Sequence, residues 1–176
     1  MQEEPIVRVL VTYATKMGST REIAERVAKQ IRVVGHEVDV ADVSEVPDVH
    51  PYRAVIVGSA LYMTRWRPEA VRFLKRFVEP LRSRQVWLFH SGPLGDRDAY
   101  GAQPAPKNVL RLSRRIGADP PVTFGGALRK ETAVGFLAKN MVRRGLGGDF
   151  RDWGRIDAWG RDIAGRITGP SWVASG

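Results

Sequence analysis

The sequence predicts an α/β protein, a doubly wound five-stranded parallel sheet with helices on both faces, formed as a single domain over residues 1–176. Three observations predict this. Apolar, β-branched runs of strand length recur five times along the chain. Segments with apolar residues at helical spacing alternate with them, the pattern of a parallel sheet covered by helices. The 176 residues, 43% of them hydrophobic, suit one domain with a proper core.

Residues 6–13 (IVRVLVTY) form the first strand, rich in Val. Residues 20–34 place Ile23, Ala24, Val27, Ala28, Ile31 and Val34 on one helical face, and Gly35 ends that helix. Residues 37–42 (EVDVAD) alternate as a half-exposed strand does, and residues 54–60 (AVIVGSA) make a third, buried strand. Residues 69–79 carry Val71, Leu74, Phe77 and Val78 at helical spacing, with Pro80 expected to end the helix. Residues 85–91 (QVWLFHS) are the fourth strand and residues 122–127 (VTFGGA) the fifth. Between these two lie a Pro- and Gly-rich loop, 92–106, and a short helix, 107–116. Residues 132–144 form a basic amphipathic helix, and residues 152–167 close the domain with Ile156, Trp159, Ile163 and Ile167 at helical spacing. Gly154, Gly160 and Gly165 each weaken that last helix by ~1 kcal/mol relative to Ala. The tail after residue 169 is expected to be loose.

The chain holds 28 Lys and Arg against 19 Asp and Glu, a net charge of +9, and has no Cys. Disulfides, thiolate metal sites and Cys nucleophiles are thereby excluded. The three histidines, His36, His50 and His90, are well separated in sequence, so no metal site is expected. The acidic start lacks the pattern of a secretory signal. The longest largely apolar stretch, 54–63, falls far short of the ~20 residues that span a bilayer. A cytoplasmic protein is expected, with room for peripheral contact at the inner face of the membrane. The positive charge by itself suits nucleic acid, anionic lipid or acidic small molecules equally.

Ligands of doubly wound sheets bind outside the carboxyl ends of the strands. The loop after the first strand, Thr15, Lys16, Met17, Gly18, Ser19 and Thr20, opens directly onto a helix, where free N–H groups and short hydroxyls suit a phosphate. The alternative is a capping box, Ser19 with Glu22, that starts the helix and binds nothing. Neither G-x-G-x-x-G nor G-x-x-x-x-G-K-[ST] is present. After the third strand come Ser59, Ala60, Leu61, Tyr62 and Met63, then Arg65 and Trp66: small residues first, then flat apolar faces that could equally pack in the core. After the fourth come Ser91, Gly92, Pro93 and Gly95, a glycine-rich stretch able to cover a planar ligand or to serve as a plain connection.

Together these loops resemble those of flavodoxin-fold FMN proteins. The T-x-x-G-x-T pattern at Thr15, Gly18 and Thr20 is similar to the flavodoxin phosphate loop. The resemblance implies that this loop holds the FMN phosphate and that the stretches from Ser59 and from Ser91 line the flavin ring. Within that superfamily the chain resembles the menaquinone-dependent protoporphyrinogen dehydrogenases of haem biosynthesis. The resembling pieces are 58–62 (GSALY), 124–129 (FGGALR) and the segment from Asn140 to Trp153, part of an insertion at about 128–151. That resemblance implies a tetrapyrrole substrate and a quinone acceptor. Arg65, Arg129 and Lys130 are the candidates for pairing with substrate carboxylates, or else solvated surface charges. No nucleic-acid partner is expected, since the arginines are scattered rather than gathered with aromatics.

An enzyme is expected rather than a carrier. Residues 61–67 contain no glycine to permit a ready peptide flip beside the flavin, so mainly two-electron behaviour is predicted. The positive charge should favour the anionic reduced flavin, within the limits of screening. The alternatives are a flavodoxin-type electron-transfer protein and an NAD(P)H:quinone reductase. His90 is the titratable residue near the site with acid–base range, although a structural histidine is the commoner role for such a position. The flavin would do the chemistry, and the protein would orient it. The insertion helix could lie on an anionic membrane, form a contact in a homo-oligomer or pack on the sheet.

Overall fold

The computed structural model describes residues 5–92, 104–129, 131, 133, 135–145 and 148–167. Strands β1 (Arg8–Ala14), β2 (Glu37–Asp42), β3 (Ala54–Tyr62), β5 (Gln85–Ser91) and β6 (Val122–Phe124) pair in parallel in the order β2-β1-β3-β5-β6. A short β4 (Arg65–Trp66) folds back antiparallel on β3. The helices are α1 (Ser19–Val33), α2 (Pro68–Arg76), α3 (Val78–Arg82), α4 (Lys107–Ile116), α5 (Phe136–Arg143) and α6 (Trp153–Arg166).

Both faces of the sheet are buried, which is why its strands read as continuous apolar runs. Alternate side chains enter separate cores. Val9, Val11 and Tyr13 of β1 join Ile56 and Phe89 beneath α1 and α6, while Leu10, Ala14, Val55, Val57 and Leu88 pack beneath α2, α3 and α4. The glycines of α6 weaken it locally, but one of them has a packing reason. A Cβ on Gly160 would lie 2.9 Å from the Cβ of Gln30, so its absence lets α6 sit close on α1.

Three element boundaries depart from expectation. Pro80 does not end the helix that starts near residue 69. That helix breaks at Phe77, and Pro80 lies in the first turn of the separate α3, where its missing N–H costs nothing. The fifth strand is shorter than residues 122–127 because it stops at the pair Gly125–Gly126. There the chain returning from the insertion passes directly over it: the Phe150 N–H donates to the Gly126 carbonyl at 3.0 Å, and a Cβ on Gly125 would overlap the Phe150 carbonyl. Beyond the break, β7 (Ala127–Leu128) pairs antiparallel with β8 (Gly148–Asp149), forming a neck that carries α5. The basic helix starts at Phe136 rather than near residue 132. The tail after 169 lies outside the described residues.

Candidate functional site

The loop from β1 into α1 is a tight turn built on Gly18, whose φ of +87° is the left-handed conformation that glycine tolerates. The Gly18 N–H donates to Thr15 Oγ1 at 2.9 Å, closing the turn. No side chain caps α1. The capping box does not form: Gly18, not Ser19, is the N-cap, and the Glu22 carboxylate is held by Arg129 and Arg151. The first N–H groups of α1 therefore face the loop with the positive end of the helix behind them. Ser19 and the buried Thr20 stand on the same turn. An FMN phosphate fits this chemistry: the backbone N–H groups and short hydroxyls of residues 15–20 would hold it, while the Lys16 side chain turns away to the Tyr62 ring.

The strand end after β3 is a two-residue hairpin. Leu61 pairs with Trp66 and Tyr62 with Arg65, leaving Met63 and Thr64 at the turn with φ values of 48° and 63°. The two aromatics of this stretch divide. Tyr62 stays at the surface, with the Lys16 ammonium 4.0 Å from its ring centroid. Trp66 does not offer a flat face to a ligand; it is buried in the core under α2. Its indole N–H donates to His90 Nδ1 at 3.0 Å. The other ring nitrogen of His90 shares a 2.8 Å hydrogen bond with Thr123 Oγ1. His90 is fully buried with both nitrogens engaged, the arrangement of a histidine that braces the ends of β4, β5 and β6. Ser59 is likewise turned inward: its Oγ accepts from the Arg67 N–H at 2.9 Å and donates to the Ala60 carbonyl.

The end of β5 closes onto both loops. Ser91 Oγ shares a 2.8 Å hydrogen bond with Thr20 Oγ1, joining the start of α1 to the end of β5. Gly92, at φ +119°, donates its N–H to the Phe124 carbonyl, and a Cβ there would meet the Leu61 carbonyl at 3.0 Å. The structure thus brings residues 15–20, 59–63 and 91–92 to one end of the sheet. Pro93, Gly95 and Lys130 lie outside the described residues.

Sequence reasoning missed how the insertion is anchored. Arg151 is buried to 2% side-chain exposure between Asp149 and Glu22, and Arg129 also bonds Glu22, at 3.0 Å. Burial pushes the Glu22 carboxyl up, but the hydrogen bonds from Arg151 and Arg129 outweigh it and hold Glu22 below the ordinary carboxylate range. The Arg151 hydrogen bond holds Asp149 low as well. Arg129 is thus committed to Glu22 rather than presented as an open carboxylate receptor. Beyond the neck, Gly135 comes close enough to the β1–α1 loop that a Cβ on it would lie 3.9 Å from Lys16 Nζ. No local pattern in the sequence announces the Glu22–Arg151 salt bridge, whose partners lie 129 residues apart. A groove of about 560 Å³ runs between α1 and the neck, floored by Trp153. Of its five cations, Arg21, Arg26, Arg129 and Arg151 are ion-paired, and Lys29 has no ion pair among the described residues. Among the described residues no group of His, Asp and Glu is placed to hold a metal ion, and no helix is long and apolar enough to cross a membrane.

Comparison with known proteins gives a match to the flavodoxin domain family over residues 10–145, more than half of the chain. Protoporphyrinogen IX dehydrogenase [quinone] of Escherichia coli K12 is 24% identical over 174 residues, covering 90% of this chain and 95% of that protein. Among solved structures, flavodoxin 1 of Bacillus cereus superposes with a TM-score of 0.61 at 15% identity, covering 92% of this chain and 99% of that one. An archaeal flavodoxin gives 0.59 at 17% identity, with 91% and 98% covered.

Proposed function

The chain belongs to the flavodoxin domain family, whose cofactor is FMN, and from that premise we propose that it is a protoporphyrinogen dehydrogenase that passes electrons to a quinone. The coarser statement, an FMN-dependent oxidoreductase, follows from the family and from the similarity to a dehydrogenase. The observation that supports the substrate is that this similarity runs nearly end to end, through the insertion as well as the sheet.

When bound, FMN supplies the two-electron acceptor chemistry. The protein's own residues hold and orient it. The N–H groups at the start of α1, with the Thr15 and Ser19 hydroxyls, bind the phosphate, and the helix dipole favours its charge. The Thr20–Ser91 hydrogen bond fixes that loop against β5. The backbone of Ala60, Leu61 and Tyr62, with Gly92 beside Leu61, lines the ring. Trp66, His90 and Thr123 hold the hairpin in place from below. On this reading the enzyme works in the cytoplasm and meets quinone at the membrane surface.

The test is to load the purified protein with FMN and follow protoporphyrinogen IX oxidation without oxygen, with menaquinone as acceptor. Porphyrin formation that requires both FMN and quinone is expected. Oxidation of NAD(P)H by quinone in its place would make the chain a quinone reductase. FMN binding with neither activity would leave an electron carrier.

A further inference from the structure

The cations around the site fall into two groups. Arg129 and Arg151 are paired with Glu22, and Arg67 lies 3.4 Å from Glu69. Lys16 and Arg65 have no ion pair among the described residues, and both border the same side chain. Lys16 Nζ stands over the Tyr62 ring, and Arg65 is directly across the hairpin from Tyr62. Apolar surface lies beside them. Met63, next to Tyr62, is 69% exposed, and Phe136, next to the Gly135 that borders Lys16, is 84% exposed.

Cations with no ion pair among the described residues, beside exposed apolar and aromatic side chains, suit a ligand that is itself broad and apolar but carries acid groups. A quinone is neutral and carries no fixed charge for two cations to pair with. The FMN phosphate already has the start of α1. We propose that Lys16 and Arg65, set around Tyr62, read the carboxylates of the apolar substrate, and that Arg129 does not. This rests on the protoporphyrinogen reading and assigns its specificity to residues. Arg129 is the intuitive choice from sequence, but Glu22 already takes its charge, so a substrate carboxylate would have to displace a carboxylate that the fold supplies.

The test uses a porphyrin diacid, deuteroporphyrin IX, and its dimethyl ester, titrated in one detergent buffer against the FMN-loaded protein. FMN affinity is measured separately for each variant. The parent should bind the diacid about tenfold more tightly than the ester, and added salt should shrink that ratio. Lys16→Met and Arg65→Met should each reduce the ratio by about threefold or more, with Lys16→Arg and Arg65→Lys restoring most of it. Equal affinity of the parent for diacid and ester overturns the proposal, as does an unchanged ratio in both Met variants. A Lys16→Met protein that loses FMN affinity but keeps its preference for the diacid makes Lys16 a cofactor residue and overturns its assignment. A parent that binds FMN but neither porphyrin refutes the substrate reading, whereas a parent that binds no FMN refutes the flavin reading itself.

Discussion

Met63 and Thr64 form a two-residue hairpin turn in the conformation that Asn and Gly adopt most easily, and Thr64 is β-branched. A left-handed non-glycine residue costs about 1–2 kcal/mol, and glycine returns part of that gain as chain entropy. Thr64→Gly should therefore stabilise the protein by about 0.5–1 kcal/mol, seen as a higher urea midpoint with an unchanged slope. The strained turn persists because Trp66 pins the hairpin from below, with His90 and Thr123 behind it. Trp66→Phe keeps most of the packing but leaves His90 Nδ1 without its donor. That should cost about 1–3 kcal/mol in thermal denaturation. The sequence offers Tyr62 and Trp66 as equivalent flat faces. Only the strand register separates them: Tyr62 lies beside Lys16, while Trp66, opposite Leu61, reaches the core and finds His90.

At the scale of elements, the insertion is held at its neck by the β7–β8 ribbon and by Arg151. Arg151→Met should loosen the neck by about 1–3 kcal/mol, read as faster proteolysis between residues 129 and 147. Amide exchange in β1, β3 and β5 should stay unchanged. The pH dependence has a definite sign. Glu22 and Asp149 bind their protons less readily in the folded protein than in the unfolded chain. Their contribution is thus complete above the ordinary carboxylate value of about 4 and is lost as pH falls through their lower folded values. Acid titration should show the parent losing stability below about pH 4 more steeply than Arg151→Met does. On α5, Phe136, Lys139 and Arg143 are exposed. If the enzyme meets quinone at a membrane, vesicles containing anionic lipid should co-sediment it, and Phe136→Ser should weaken that association. No lipid dependence removes membrane contact from the proposed function.

For the whole molecule, many of the 28 Lys and Arg side chains have a structural partner. Arg84 donates to the carbonyls of Val49, His50, Tyr52 and Pro80, and Arg155 donates to that of Thr123. Arg26 forms a two-pronged bond with Asp157 that ties α1 to α6. Much of the basic composition is spent on the fold, which concentrates the functional meaning of the rest at residues such as Lys16 and Arg65. FMN at about 100 times its Kd should add about 2.7 kcal/mol of stability, raising Tm by roughly 5–10 °C. Riboflavin, lacking the phosphate, should give a clearly smaller rise; an equal rise would remove the start of α1 from the binding site. By itself the sequence determined the sheet, its layers and the three loops at its carboxyl end. Strand and helix periods and the Thr15–Thr20 motif are local patterns, and burial of both sheet faces leaves a local mark on composition. Only the tertiary structure decided where β6 stops, which aromatic enters the core, that His90 is sealed, and which arginines are neutralised. Those outcomes depend on partners far apart in the chain, such as Glu22 with Arg151 and Trp66 with His90, and contacts of that kind exist only once the sheet has brought the loops together.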